Sequence, residues 1–109
     1  MAVTFDSLRS LANGSISGSY AKVGSATTSP TRIVCITNNT DGDMFFSTDG
    51  VNDMLFVAKA TYKTYDFTTN KRLDDNTFAI RQNTQWYVKQ SSAPSTGSVY
   101  IESVYGGNT

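Results

Sequence analysis

The sequence predicts an all-β fold, a jelly-roll-like antiparallel β-sandwich of about eight short strands with a short N-terminal helix or arm. Three observations carry this. Runs of β-branched and aromatic residues recur along the chain, such as Thr-Arg-Ile-Val-Cys-Ile-Thr (31–37), Met-Phe-Phe-Ser (44–47), Met-Leu-Phe-Val (54–57) and Thr-Tyr-Lys-Thr-Tyr-Asp-Phe (61–67). Tight-turn residues separate them, with Asn, Asp and Gly at 38–43 and Thr-Asp-Gly at 48–50. Beyond residue 14 no apolar spacing of helical period occurs.

The elements come in order. Phe5, Leu8 and Leu11 recur every third residue, and Asn13-Gly14 is a plausible helix stop, so residues 4–14 form either a two-turn helix or an extended arm. Residues 15–30 suggest one irregular edge strand through Ile16, Tyr20 and Val23, ended by Pro30. Residues 31–38 form a central strand covered on both faces, with Ile33 and Cys35 on one side and Val34 and Ile36 on the other. Residues 39–42 turn. Residues 44–47 return with Phe45 and Phe46 on opposite faces, and strands come next at 54–59 and 61–67, the latter placing Tyr65 and Phe67 opposite Tyr62 and Thr64. A polar loop spans 68–75, and a strand at 77–81 points Phe78 and Ile80 inward. Residues 85–90 put Trp86 and Val88 on one face, Tyr87 and Lys89 on the other. Residues 98–105 set Val99, Ile101, Ser103 and Tyr105 against Tyr100, Glu102 and Val104. No linker or repeat divides the chain, so residues 1–109 read as one sandwich domain with 1–14 as its N-terminal arm.

At 109 residues the chain can bury a core of its own. Charged residues are only 17% of it, and Ser, Thr, Asn and Gln take their place. Such a surface suits contact with protein, because interface cores are depleted of charge. Nine basic and nine acidic residues cancel, which leaves no field to gather nucleic acid or an anionic membrane. No apolar stretch reaches the roughly 20 residues of a spanning helix. The start Met-Ala-Val-Thr-Phe-Asp lacks the basic and apolar regions of a signal peptide, which predicts a cytoplasm or a particle assembled there.

Catalytic chemistry finds few carriers. Cys35 stands alone in an apolar run, where it reads as a small core residue, and it has no histidine to activate it. With no histidine and one cysteine, zinc and copper sites are not expected. Asp41/Asp43 and Asp74/Asp75 are typical turn residues; calcium is the competing reading, but the closing glutamate of a binding loop is missing. Asp66 and Glu102 are the strand carboxylates that acid–base work would need across a cleft. The sequons at Asn13 and Asn38 carry no weight without a secretory leader. Trp86, Tyr87, Tyr62, Tyr65, Tyr100 and Tyr105 divide between core, a protein interface and a sugar-stacking face.

The blocks at 15–24 (Ser-Ile-Ser-Gly-Ser-Tyr-Ala-Lys-Val-Gly), 30–53, 65–71 (Tyr-Asp-Phe-Thr-Thr-Asn-Lys), 85–90 (Gln-Trp-Tyr-Val-Lys-Gln) and 97–106 (Gly-Ser-Val-Tyr-Ile-Glu-Ser-Val-Tyr-Gly) together resemble small all-β structural proteins of tailed bacteriophages. Within that group the chain looks most like the decoration or cement proteins that clamp a capsid. The resemblance implies a non-enzymatic virion protein on the capsid exterior, assembled in the host cytoplasm. It would be oligomeric there, with the major capsid protein and copies of itself as partners, no nucleic acid, no membrane and no cofactor. The alternatives are a head–tail adaptor or tail component in low copy number, and a virion-displayed carbohydrate-binding module. Phe5, Leu8 and Leu11 on the arm, with Tyr62, Tyr87 and Tyr100, are the candidate protein-interface residues.

Overall fold

The computed structural model describes residues 2–67 and 80–107. The described strands are β1 (Ala2–Phe5), β2 (Arg9–Ala12), β3 (Ala21–Lys22), β4 (Ile33–Thr40), β5 (Met44–Ser47), β6 (Leu55–Val57), β7 (Thr61–Asp66), β8 (Tyr87–Gln90) and β9 (Gly97–Gly107). A single 3-10 turn, Asn13–Ser15, comes directly after β2.

The pairing is nested. β5 pairs with β6, β4 with β7, β3 with β8 and β2 with β9, all antiparallel. The chain is therefore one long hairpin, closed between β5 and β6 and folded over on itself. Folding over makes two sheets, β2-β9-β4-β7 and β3-β8-β5-β6, with β1 extending the first along the far end of β9. This is the jelly roll, and the two sheets make the expected sandwich.

The core results from alternation. The first sheet sends in Val34, Ile36, Val99 and Ile101, the second Met44, Phe46, Val57 and Val88, and the flanks add Ile16, Val23 and Trp86. Each such side chain contributes about 1.5–3 kcal/mol when fully buried. Leu11, Tyr65 and Phe67 pack on the margin.

The N-terminal segment is strand, not helix. Phe5 lies opposite Val104 while Arg9 lies opposite Ile101, so residues 6–8 face only residues 102–103 of β9. One extra residue makes this a β-bulge, and a bulge reverses the in–out alternation of the residues beyond it. Phe5 and Leu8 point outward as a result, whereas Arg9 and Leu11 point to the core side. The three-residue spacing that suggested a helix marks no common face: the bulge keeps Phe5 and Leu8 on the outside, and Leu11 turns inward opposite Val99.

Arg9 locks the bulge. It is only 2% exposed and donates to the carbonyls of Ser7, Ser25 and Ala26 and to Asp6 Oδ2. Asp6 in turn accepts from the backbone N–H groups of Ser7 and Thr28. The loop at 24–28 is thereby tied to the first sheet.

Other expectations need adjusting. The strand expected at 31–38 runs on to Thr40, because Asn38 and Thr40 are buried and hydrogen-bonded rather than in a turn. Asn38 Nδ2 donates to the carbonyls of Gly42 and Val57, and Asn38 Oδ1 accepts from Thr40 N and Oγ1. β4 is central in its sheet, between β9 and β7, yet only one face is covered by the second layer. Cys35 consequently sits half-buried on the outer face instead of in the core. Within 15–30 only Ala21–Lys22 is regular strand. Of the strand expected at 77–81, Ile80 makes an isolated bridge with Thr31, and Phe78 lies outside the described residues, as do Lys71, Arg72, Asp74 and Asp75.

Candidate functional site

The outer face of the first sheet is the surface that collects the sequence-derived interface residues. Register defines its rows. Tyr62, Thr37, Tyr100 and Ser10 run across β7, β4, β9 and β2 in one row. Thr64, Cys35 and Glu102 form the next. Asp66, Ile33, Val104 and Phe5 form the third. Phe5 is 80% exposed, Tyr62 68% and Leu8 61%. Leu8, Thr37, Tyr100 and Glu102 line a shallow groove of about 270 Å³. Exposed large apolar groups gathered on one open sheet face mark an interaction surface, because each loses water contact when covered.

Four of the six candidate residues, Phe5, Leu8, Tyr62 and Tyr100, lie on this face, Leu8 and Tyr100 in its groove. Two do not. Leu11 lies opposite Val99 and packs against the core. Tyr87 is on β8 of the second sheet, half-buried, where it lies opposite Ser47. Sequence reasoning passed over Ile33, Thr37 and Val104 as members of the face. Alternation along β4 and β9 carried that information, but the assumption that β4 was covered on both sides concealed it.

The second sheet's outer face is partly covered by its own chain, although Phe56 on β6 remains 42% exposed. Lys89 Nζ forms an ion pair with Asp53 at 2.9 Å and lies over the rings of Tyr20 and Phe45. Phe45 meets Phe56 edge to face. Tyr20 donates to Asp53 Oδ1 at 2.5 Å. The Lys89 ammonium and the Tyr20 hydroxyl hold the Asp53 carboxyl below its ordinary value. Burial, with the Asp53 carboxylate that accepts its proton, pushes the Tyr20 hydroxyl up.

The carboxylates in the turns serve the turns. Asp41 accepts from Ser95 Oγ and from the backbone N–H groups of Ser95 and Thr96, and these bonds lower its carboxyl to about 2. Asp49 accepts from Ser47 Oγ, from the N–H groups of Val51 and Asn52, and from Asn52 Nδ2, which also holds it well below the carboxylate range. Asp43 accepts from the Lys59 N–H. Among the described residues no three His, Cys, Asp or Glu side chains gather as metal ligands. Asp66 and Glu102 flank β4 in adjacent rows of an open face, not across a cleft. A second hollow, apolar and about 290 Å³, opens between the sheets and is lined by Val34, Met54, Leu55, Tyr65, Phe67 and Trp86 among others.

No family model matches this chain. No curated protein matches it either. Among solved structures, one from Bacillus endospore appendages, described as a novel family of disulfide-linked pili, aligns with a TM-score of 0.52. The alignment covers 98% of this chain and 90% of that one, at 11% identity, so the likeness is one of fold. It corrects the functional expectation. The neighbour is a bacterial pilus protein and not a phage shell protein, so the capsid decoration or cement reading is set aside, together with its tail-adaptor and virion-displayed sugar-binding alternatives.

Proposed function

We propose that this chain is a non-enzymatic structural subunit that associates with copies of itself through the outer face of its first sheet. The observation that carries the proposal is that Phe5, Leu8 and Tyr62 are exposed on one sheet face, with Leu8 and Tyr100 lining its groove. The pilus neighbour supports it at the level of fold, since a jelly roll of this kind serves there in an assembly. Covalent linkage is a different matter. The sequence has one cysteine, and a chain of disulfide-joined copies needs at least two linkage points per subunit. One cysteine cannot join copies into a continuous disulfide-linked chain, so the association proposed here is driven by apolar burial rimmed with hydroxyl and amide groups.

Sedimentation velocity over a range of protein concentrations tests the proposal. The wild type forms dimers or larger species as concentration rises. The double variant Phe5→Glu with Tyr62→Glu changes two exposed side chains and leaves the thermal transition in place, while weakening association at least about tenfold. A wild type that stays monomeric throughout, or a double variant that associates as tightly as the wild type, overturns the proposal.

A further inference from the structure

We infer that Lys63 is the charge that keeps the open edge of the first sheet from pairing with a second copy. A sheet edge carries unpaired backbone groups that another chain can join, and folded proteins blunt such edges. The two edges of the second sheet, β3 and β6, are only two and three residues long. On the far side of β9 the first sheet is interrupted by the bulge between β1 and β2. Among the described strands the remaining edge is β7, six residues of regular strand without glycine or proline.

The backbone of β7 is ready to accept a partner. The Phe67 N–H donates to the Arg32 carbonyl, which continues the register of β7 on β4. Bonding residues alternate along an antiparallel strand, so Lys63 and Tyr65 bond to β4 while Tyr62 and Thr64 turn their N–H and C=O groups to the open side. Residues 61–64 are all exposed. Apart from its lysine, Thr-Tyr-Lys-Thr-Tyr consists of β-branched and aromatic strand formers.

Lys63 lies opposite Ile36, which is fully buried, so its side chain leaves the sheet on the inner side. It is exposed there because β7 is the last strand of its sheet. Among the described residues no carboxylate pairs with it. A strand added to β7 sets a side chain about 5 Å from Lys63 and covers it. Covering an ammonium without a counter-charge is costly. Pairing of β7 with β7 about a two-fold adds repulsion. An axis at residue 63 sets the two lysines directly opposite, and an axis at 62 or 64 leaves them diagonal neighbours on one side of the joined sheet. This edge is distinct from the outer face, and closing it leaves that face as the route by which copies meet.

The test uses the full chain carrying Phe5→Glu and Leu8→Glu, which charges the outer face without touching β7. Association is followed by sedimentation velocity. Lys63→Thr, neutral and a good strand former, tightens association at least about tenfold over this parent, whereas Lys63→Arg keeps the charge and matches the parent. Amide hydrogen exchange at Tyr62 and Thr64 slows as the Lys63→Thr chain associates, because those N–H groups are then bonded to the second copy. Association unchanged by Lys63→Thr overturns the inference. So does an equal gain from Lys63→Arg, or association that leaves the Tyr62 and Thr64 amides exchanging as before. Because Phe5 and Leu8 are already replaced by charges, none of these outcomes depends on the outer face.

Discussion

Asn38 decides, through one side chain, where its strand stops. Read in the sequence, Asn-Asn-Thr-Asp-Gly is a turn. In the fold, Asn38 is buried and uses both amide donors and its carbonyl oxygen. Removing it takes the amide donor from the Val57 carbonyl in a dry place, while the Gly42 carbonyl keeps the Thr40 hydroxyl. Asn38→Ala is expected to cost about 2–3 kcal/mol in chemical denaturation. A loss below about 1 kcal/mol shows that water replaces the amide. Asp41 acts through pH instead. Its folded carboxyl titrates near 2 against an ordinary 3.8. A depressed folded value stabilises the native state above the unfolded value and loses that contribution as pH falls through the folded one. Asp41→Asn therefore lowers the melting temperature at neutral pH, and the difference from wild type closes between about pH 4 and pH 2. A gap that stays constant across that window contradicts the Ser95–Thr96 clamp as its source.

At the level of elements, the strands with clean alternation were legible. Phe46 against Phe45, Val88 against Tyr87, and Ile101 against Tyr100 and Glu102 all fall on the faces the sequence assigns them. The N-terminal segment was not, because a bulge shifts the period-two alternation by one residue partway along it, so Phe5 and Leu8 share a face that Leu11 does not. The Arg9 lock had no sequence signal either: a lone arginine in Leu-Arg-Ser reads as solvated until its three carbonyl partners, two of them sixteen or seventeen residues away, come into place. Which candidate residues share the outer face was only partly legible, since hydrophobic identity was visible but the side each one took in a bulged strand was not. Arg9→Ala takes the donor from those carbonyls and the cation from the Asp6 carboxylate, which keeps its bonds from Ser7 and Thr28, and an equilibrium loss of about 3 kcal/mol is expected. Lysine cannot reproduce the fork of donors, so Arg9→Lys recovers only part of it. Full recovery by lysine is the result that contradicts a geometric role.

The whole molecule is organised by nesting. Each strand of the first half finds its mate at a mirrored position in the second, so contacts span most of the chain and the outermost pairs are the farthest apart in sequence. The jelly roll was anticipated from strand number and spacing. Strand order was not, because periodicity says which face a residue takes and nothing about which neighbour a strand chooses. Nesting also has a mechanical consequence. Ala2 lies directly across from Gly107, so these two positions sit side by side at one end of the ladder. A load applied between them meets the pairing of β1 and β9 one hydrogen bond at a time, each worth about 1 kcal/mol net, rather than many bonds in parallel. Stretched from residues 2 and 107 in an optical trap, the outer strands are expected to peel apart at low force, and a single high-force rupture contradicts this. If copies associate as proposed, tension passed through the sheet face runs across whole strands at once. A fold built this way is weak as a rope gripped at its tips and strong as a tile gripped by its surface.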